Sequence, residues 1–402
     1  MNASMLSAGP WLANAGFVFP NEKELQWSIL IVLYPYITGL VAGAFILASL
    51  VRVFHARALD PAYRLALLTS LAFLIVAPLP LVAHLGHPER ALQIMMTPHL
   101  TSAMAVFGFV YLWYLAAVLL IEVWFDFRKD IVEYANRSRG IPRIFYNILT
   151  LGVKDVSPEA LAFDDRAGRF VTIIGIPSAV LLHGYVGFIF GSLKSNPWWS
   201  SVLMPLIFLL SAIVSGISLV LVLYAITSWW RRLRPDPKCL TAIGRYLMFA
   251  LIFDLTLEAL DVVHRLYEAG EWYEVFTLLR TGYLYETMFG VQLFLGGLVP
   301  LGMLVFLHFV KEENQRLRTA VFFTVGVLVL IGVFFMRWNV VIGGQLFSKS
   351  LHGLTTYKLQ FAGDEGGLVA LTLLILPVAI LWALTKILPP WSHGPQPLVK
   401  SD

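Results

Sequence analysis

A short run of ionisable residues inside an otherwise apolar stretch is the first chemistry legible in this chain. From Asp254 the sequence reads DLTLEALDVVHR, and Glu258, Asp261 and His264 recur at spacings of three, which on a helix places them on one face. A carboxyl and an imidazole at membrane depth are the material of a proton relay, because burial and neighbours bring both toward titration near neutrality. Glu258 lies six residues inside His264, about 9 Å along a helix axis, deep enough to need a partner. Another apolar stretch finishes HLGHPER, bringing His84, His87, Glu89 and Arg90 to its end, and Arg280, Glu286, Arg337 and Asn339 mark the ends of two more. Tyr34 and Tyr185 each sit seven residues inside the end of a stretch, about 10 Å deep, where a phenol can donate a hydrogen bond to a ligand. Purely structural roles compete with these readings: Glu258 pairing with Arg337 to join two helices, tyrosines filling the bundle or its interfacial belt, and polar ends wetted by headgroups. Glu122 and Asp254 either begin a path from the opposite side or are solvated and paired.

Groups at such depth have to be carried by spans, since a charge inside a bilayer faces a cavity, a partner or water. Hydrophobic residues make up 58% of the 402 and charged residues 13%, against roughly 25% charge in an ordinary soluble domain. Mean hydropathy is +0.75, more apolar surface than a soluble core absorbs. Stretches of spanning length run near 27–53, 64–84, 101–125, 170–192, 200–227, 244–264, 282–310, 320–337 and 367–387. The first is too long for a signal-peptide core and lacks a small-residue cleavage site. Prolines at 35, 78, 80, 177, 205, 300 and 377 are tolerable inside such helices when neighbours satisfy the freed carbonyls.

The expected fold is therefore all-α, a polytopic transmembrane helical bundle of about nine spans. Basic residues alternate from loop to loop, at Arg52 and Arg57, at Arg128 to Arg143, at Arg231 to Lys238 and at Lys311 to Arg318, which puts the N-terminus outside and the C-terminus in the cytoplasm. One integral membrane domain, 1–402, is expected, with an outer N-terminal segment 1–26, a cytoplasmic loop 126–169 bearing short surface helices, an outer loop 338–366 and a cytoplasmic tail 388–402. The formal charge of +4 is small, and the expected surroundings are a lipid bilayer and no nucleic acid. Cys239 is the single cysteine, so an internal disulfide is excluded and it cannot alone hold an iron–sulfur cluster or a structural zinc.

The segment HGYVGFIFGSLKSNPWWSSVLMPLIFLLSAIVSGIS, His183 to Ser218, resembles the fourth and fifth helices of the NrfD/PsrC family, the quinone-reactive membrane subunits of complex iron–sulfur molybdoenzymes such as polysulfide reductase. WSILIVLYPYITGLVAGA resembles the family's first helix, with Gly39 and Gly43 on its close-packing face, and HLGHPER and RWNVVIGGQ also fit longer members. The likeness covers most of spans one to eight; the tail beyond Gln345 exceeds the shorter members. It implies a subunit of bacterial or archaeal cytoplasmic membranes that holds no haem or metal and binds menaquinone or ubiquinone near the outer face. It further implies electron exchange with a ferredoxin-like iron–sulfur subunit there, joined to a molybdopterin catalytic subunit, so that the chain serves an enzyme complex without acting alone on the soluble substrate. Tyr185 stands twelve residues before Pro197, the spacing of the family's quinone-contacting tyrosine. Tyr34 takes the place of a quinone-contacting histidine of the polysulfide reductase subunit, and Ile31 that of a nearby asparagine, so the proton donor differs; His183, His84 and Glu258 are the local substitutes.

Other functions predict other features. A dihaem cytochrome requires paired histidines within spans, and of the nine histidines only His183 lies well inside one. An ion or solute transporter predicts broken helices and inverted repeats around a midplane site, and no repeat is visible. A membrane anchor without quinone chemistry leaves Glu258 and the polar cluster unexplained.

Overall fold

The computed structural model describes residues 25–97, 101–268, 270–309, 314–348, 351 and 353–391. Among them nine long helices form the bundle: α1 (Ile29–Arg52), α2 (Arg57–His84), α3 (Ala105–Arg137), α4 (Pro158–Gly191), α5 (Met204–Trp230), α6 (Pro237–Glu268), α7 (Glu286–Phe309), α8 (Gln315–Leu346) and α9 (Gly367–Ile387). All except α6 are long and apolar enough to cross a membrane. With 32 residues α6 has the length, about 48 Å, but it carries Arg245, Asp254, Glu258, Asp261 and Arg265. The chain is a polytopic helical bundle, and a multi-pass integral membrane protein.

Several helices outrun the apolar stretches that announce them. α3 continues to Arg137 and α4 already begins at Pro158, so residues 126–169 are largely helix, with a further short helix at Ile141–Leu149. Pro35, Pro177 and Pro377 lie inside helices, whereas Ala77 and Pro78 interrupt α2 between Asp60–Val76 and Leu79–His84. Ser28 and Ser157 cap α1 and α4 by accepting from backbone N–H groups. Of the expected terminal segments, residues 1–24 and 392–402 lie outside the described residues, as does Lys311.

α1 is the axis of the bundle, packed on α2, α4, α5 and α8, and α5 in turn meets α1, α4, α6 and α8. The α1–α5 crossing depends on small residues. A side chain at Gly43 would run into the carbonyl oxygen of Ala212 and stand 2.8 Å from Cα of Gly216, while one at Gly216 would strike the backbone of Gly43 and Ala44. Without water to drive helices together, backbone contact of this kind supplies the dispersion that holds spans in register. Gly39, one turn away, faces the His183 ring, with Cε1 at 3.2 Å from the position of a Cβ. Gly39 and Gly43 thus occupy the close-packing face expected from the sequence.

Ion pairs clamp the ends next to the basic loops. Asp126 accepts from Arg52 and Tyr63, Arg64 pairs with Asp130 at 2.7 Å, and buried Arg128 pairs with Asp164 at 2.6 Å. At the opposite end the loop between α4 and α5 is bolted to α8. Asn196 donates to the Gly344 carbonyl at 2.8 Å, Trp198 to that of Asn339 at 2.9 Å and Trp199 to that of Val340 at 2.6 Å. Trp27 stacks on Trp199 with ring centres 5.2 Å apart.

Candidate functional site

Arg337 of α8 is the hub around which the polar residues gather. Its side chain is entirely buried, and its Nη2 lies 2.7 Å from Ser211 Oγ, 3.0 Å from His183 Nε2 and 3.2 Å from the Phe208 carbonyl. The guanidinium lies 4.0 Å from the centre of the Phe208 ring, a desolvated cation–π contact. Arginine can only donate, so Nε2 of His183 has to accept, and the ring proton is assigned to Nδ1. Nδ1 faces Thr38 Oγ1 at 3.3 Å, and that hydroxyl reaches the Tyr34 carbonyl at 3.0 Å. His183 therefore joins α8 to the turn of α1 that carries Tyr34.

On one side of this hub lie the two tyrosines. Tyr34 is 4% exposed, its ring meets Phe107 edge-on at 5.1 Å, and its hydroxyl is buried with no hydrogen-bond partner among the described residues. Tyr185, half-buried on α4, stacks with Phe188 and lies close enough to Tyr34 for the phenols to interact electrostatically. The adjoining Gly184 has open space where a side chain would be. A buried phenol lacking a partner, beside a second phenol and an open lateral face, fits an aromatic ligand with carbonyl acceptors, because leaving the hydroxyl unpaired costs about 1–3 kcal/mol. The residues present fit a quinone headgroup on this observation.

On the other side lies a carboxylate pair. Asp254 and Glu258, four residues apart on α6, line a cavity of about 20 Å³ together with Ser211, Gln292, Gly296, Gly297 and Gly332. Gln292 donates from Nε2 to both Glu258 oxygens at 3.2 and 3.3 Å, and is itself held by Asn339 Nδ2 at 2.9 Å. The first half of α7, Glu286–Leu298, is π-helical, a wider winding often found where function displaces regular packing. Asp254 is buried, and its Oδ1 has no partner among the described residues. Among the described residues no ion pair within 4 Å joins Arg337 to either carboxylate, so its charge acts on them at longer range.

The remaining expected residues are engaged elsewhere. Asp261 is buried and pairs with Arg265 at 2.6 Å while accepting from Ser201. Arg265 also donates to the carbonyls of Pro197 and Trp198, each at 3.1 Å, and lies over the Trp272 ring. His264 is exposed and stands 3.7 Å from Glu268. Glu258, Asp261 and His264 follow one another along α6 but share no hydrogen bond. His84 contacts Glu365 at 2.9 Å, which ties α2 to the loop before α9. Arg280 and Glu286 are exposed. Glu122 is buried, accepts from Thr172 at 2.7 Å and has one unpartnered oxygen. Sequence reasoning missed Thr38, Ser211 and Gln292. Their only signal was an uncharged polar residue within an apolar helix, common in spans and weak alone. Among the described residues no three His, Cys, Asp or Glu side chains come together to hold a metal ion.

Apolar helices enclosing a buried arginine, with a phenol pair on one flank and a carboxylate pair on the other, define an integral membrane protein with an internal polar site. The family model described as "Polysulphide reductase, NrfD" matches residues 18–349, and the chain belongs to the NrfD family. It is 30% identical to a selenate reductase subunit of Mesobacillus selenatarsenatis over 79% of this chain and 73% of that one. It is also 30% identical to a putative dimethyl sulfoxide reductase membrane subunit of Halobacterium salinarum, over 80% and 70%. With an Hdr-like menaquinol oxidoreductase integral membrane subunit of Archaeoglobus fulgidus it shares 24% identity over 90% and 86%. The residues after 349, including α9, lie outside the family match.

Proposed function

We propose that this chain is the quinone-binding membrane subunit of a multi-subunit oxidoreductase in a prokaryotic cytoplasmic membrane, passing electrons between menaquinone or ubiquinone and a docked iron–sulfur subunit. A molybdopterin catalytic subunit completes the complex. Family membership and relatives named as subunits of selenate and dimethyl sulfoxide reductases support the complex, and a relative named as menaquinol oxidoreductase supports the quinone. The observation that carries the site is the buried, unpartnered hydroxyl of Tyr34 beside Tyr185.

Tyr34 and Tyr185 would hold the headgroup, each donating to carbonyl oxygen, and a bound quinone supplies a carrier of two electrons and two protons. The phenols are worth most where negative charge develops on oxygen, in surroundings that exclude water. His183, with Nε2 accepting from Arg337, acts on this site by fixing the α1 turn through Thr38. Glu258 is the proposed proton-exchanging acid, since its oxygens are held by a neutral amide in place of a cation. Asp261, neutralised by Arg265, holds the outer loop, and exposed His264 exchanges with outer water. With nine spans and the N-terminus outside, these groups would lie toward the face where the iron–sulfur subunit docks.

The test is quinone extraction and a visible spectrum of the purified complex, with Tyr34→Phe and Tyr185→Phe alongside the parent. Bound quinone that falls in both variants, with no haem attributable to this chain, is expected. Undiminished quinone in both would move the site elsewhere.

A further inference from the structure

Three helices, α5, α6 and α7, meet α8 around the cavity beside Asp254, and its walls are unlike the rest of the bundle. Glycines at 296, 297 and 332 line it from two of them, 296 and 332 in close backbone contact, and Ser211, Gln292 and both carboxylates supply polar atoms. About 20 Å³ is room for one water molecule, which in a protein interior needs two to four polar partners. Asp254 is 5% exposed and borders the cavity with an oxygen that nothing among the described residues satisfies. Buried carboxylate oxygens are ordinarily hydrogen-bonded, so an orphan beside a polar, water-sized space points to a water as its missing partner.

Charge balance adds a second constraint. The charged groups nearest the pair are Arg337 from α8 and, one turn outward on α6, Asp261, which Arg265 already neutralises; the Tyr36 phenol of α1 neighbours Arg337 and donates to the Leu330 carbonyl. Two ionised carboxylates against one guanidinium would leave a net negative charge in an apolar interior, which desolvation opposes. One proton shared between the carboxyls removes it.

We propose that the cavity holds a water molecule through which Asp254 and Glu258 exchange a single proton, with Arg337 as their common counter-charge. Protonated Glu258 donates to the water while the water donates to the Asp254 carboxylate; one O–H bond breaks and one forms at each step, and the water is regenerated. The site stores one proton beside the residues that link to the phenol pair, Arg337 and His183. It rests on the reading of Glu258 as the proton-exchanging acid and extends it inward to Asp254.

The experiment is infrared difference spectroscopy of the assembled complex between its oxidised and reduced states, with turnover measured alongside. A protonated-carboxyl band sensitive to deuterium exchange is expected in the parent and absent from both Glu258→Gln and Asp254→Asn. Asp254→Glu, which keeps an acid, should retain a shifted band. Turnover should fall about a hundred-fold in both amide variants, the scale of one positioned proton transfer. Gly297→Ala tests the water separately, because its methyl comes 2.8 Å from Leu255 Cδ2 and forces that lining side chain to shift at the cavity wall. It should slow turnover with both carboxyls intact. A parental band and rate in Asp254→Asn, with Glu258→Gln impaired, would overturn the shared proton and leave Glu258 acting alone. Parental behaviour in both would overturn the pair and the proton role of Glu258 together.

Discussion

Gly43→Ala adds one methyl group at the tightest point of the bundle. Its Cβ would stand 2.8 Å from Cα of Gly216 and closer still to the Ala212 carbonyl, where ordinary contact begins at 3.4 Å. The obstructing atoms are backbone, so no side chain can swing away, and α1 and α5 have to part by at least about 0.6 Å. Overpacking of a tight core costs about 1–3 kcal/mol, and the better helix propensity of alanine returns up to about 1 kcal/mol. The net loss lies between about 0 and 3 kcal/mol, toward the upper part because only backbone could yield. Gly302→Ala is the matched control, because nothing lies within 4 Å of its Cβ position and only the propensity gain remains. Thermal unfolding of the purified complex should give a lower midpoint for Gly43→Ala and an equal or higher one for Gly302→Ala. A Gly43→Ala protein that melts with the Gly302 variant would refute backbone contact as the basis of this crossing.

Four further outcomes are expected. Tyr185→Phe keeps the ring and removes the hydroxyl, and should lower quinone turnover about ten- to a hundred-fold with assembly spared, as for about 1.4–2.7 kcal/mol of transition-state hydrogen bonding; a parental rate would remove Tyr185 from the site. Glu258→Gln should assemble and show slow turnover with an altered pH profile, whereas a purely structural Glu258 would give normal kinetics in whatever complex survives. Arg265→Met leaves Asp261 as an uncompensated buried charge and releases the Pro197 and Trp198 carbonyls, so about 3–5 kcal/mol of stability should be lost, with much of it recovered in Arg265→Met/Asp261→Asn. Reporter fusions should give phosphatase activity at Gly270 and none at Arg137; the reverse pattern would invert the orientation.

Much of the fold is legible in one dimension because the bilayer imposes a length and a hydropathy on every crossing helix. Ends are less legible for the same reason. Residues 158–169 of α4 and 126–137 of α3 lie beyond the apolar stretches, and there amphipathic helix is stabilised by ion pairs such as Arg128–Asp164, whose partners are far apart in sequence. The small residues at 39 and 43 were readable because their spacing along α1 is itself the packing signal. The regular spacing of Glu258, Asp261 and His264 sets them along one helix, yet Asp261 is buried and His264 exposed, because spacing carries no information about neighbours. Arg265, four residues after Asp261, captures that carboxylate, and Gln292 from α7 meets Glu258. Asp254 was readable in the sequence as a path residue or a paired group, but its place beside Glu258 emerges only from the cavity that both line.

His183 and Arg337, 154 positions apart, show how a buried charge can order the helices around it. A guanidinium in an apolar bundle is expensive unless its donors are satisfied. Here Nη2 is shared among an imidazole, a hydroxyl and a carbonyl, with an aromatic face beneath, while Nε has no partner among the described residues. That arrangement fixes the direction of every bond that follows: arginine donates, Nε2 accepts, and Nδ1 carries the proton toward Thr38 on the turn bearing Tyr34. A histidine so constrained cannot give up a proton without losing its contact to α1. In the function proposed above, proton exchange therefore falls to the acids on α6, where the positive charge of Arg337 would stabilise one ionised carboxylate while the other holds a proton.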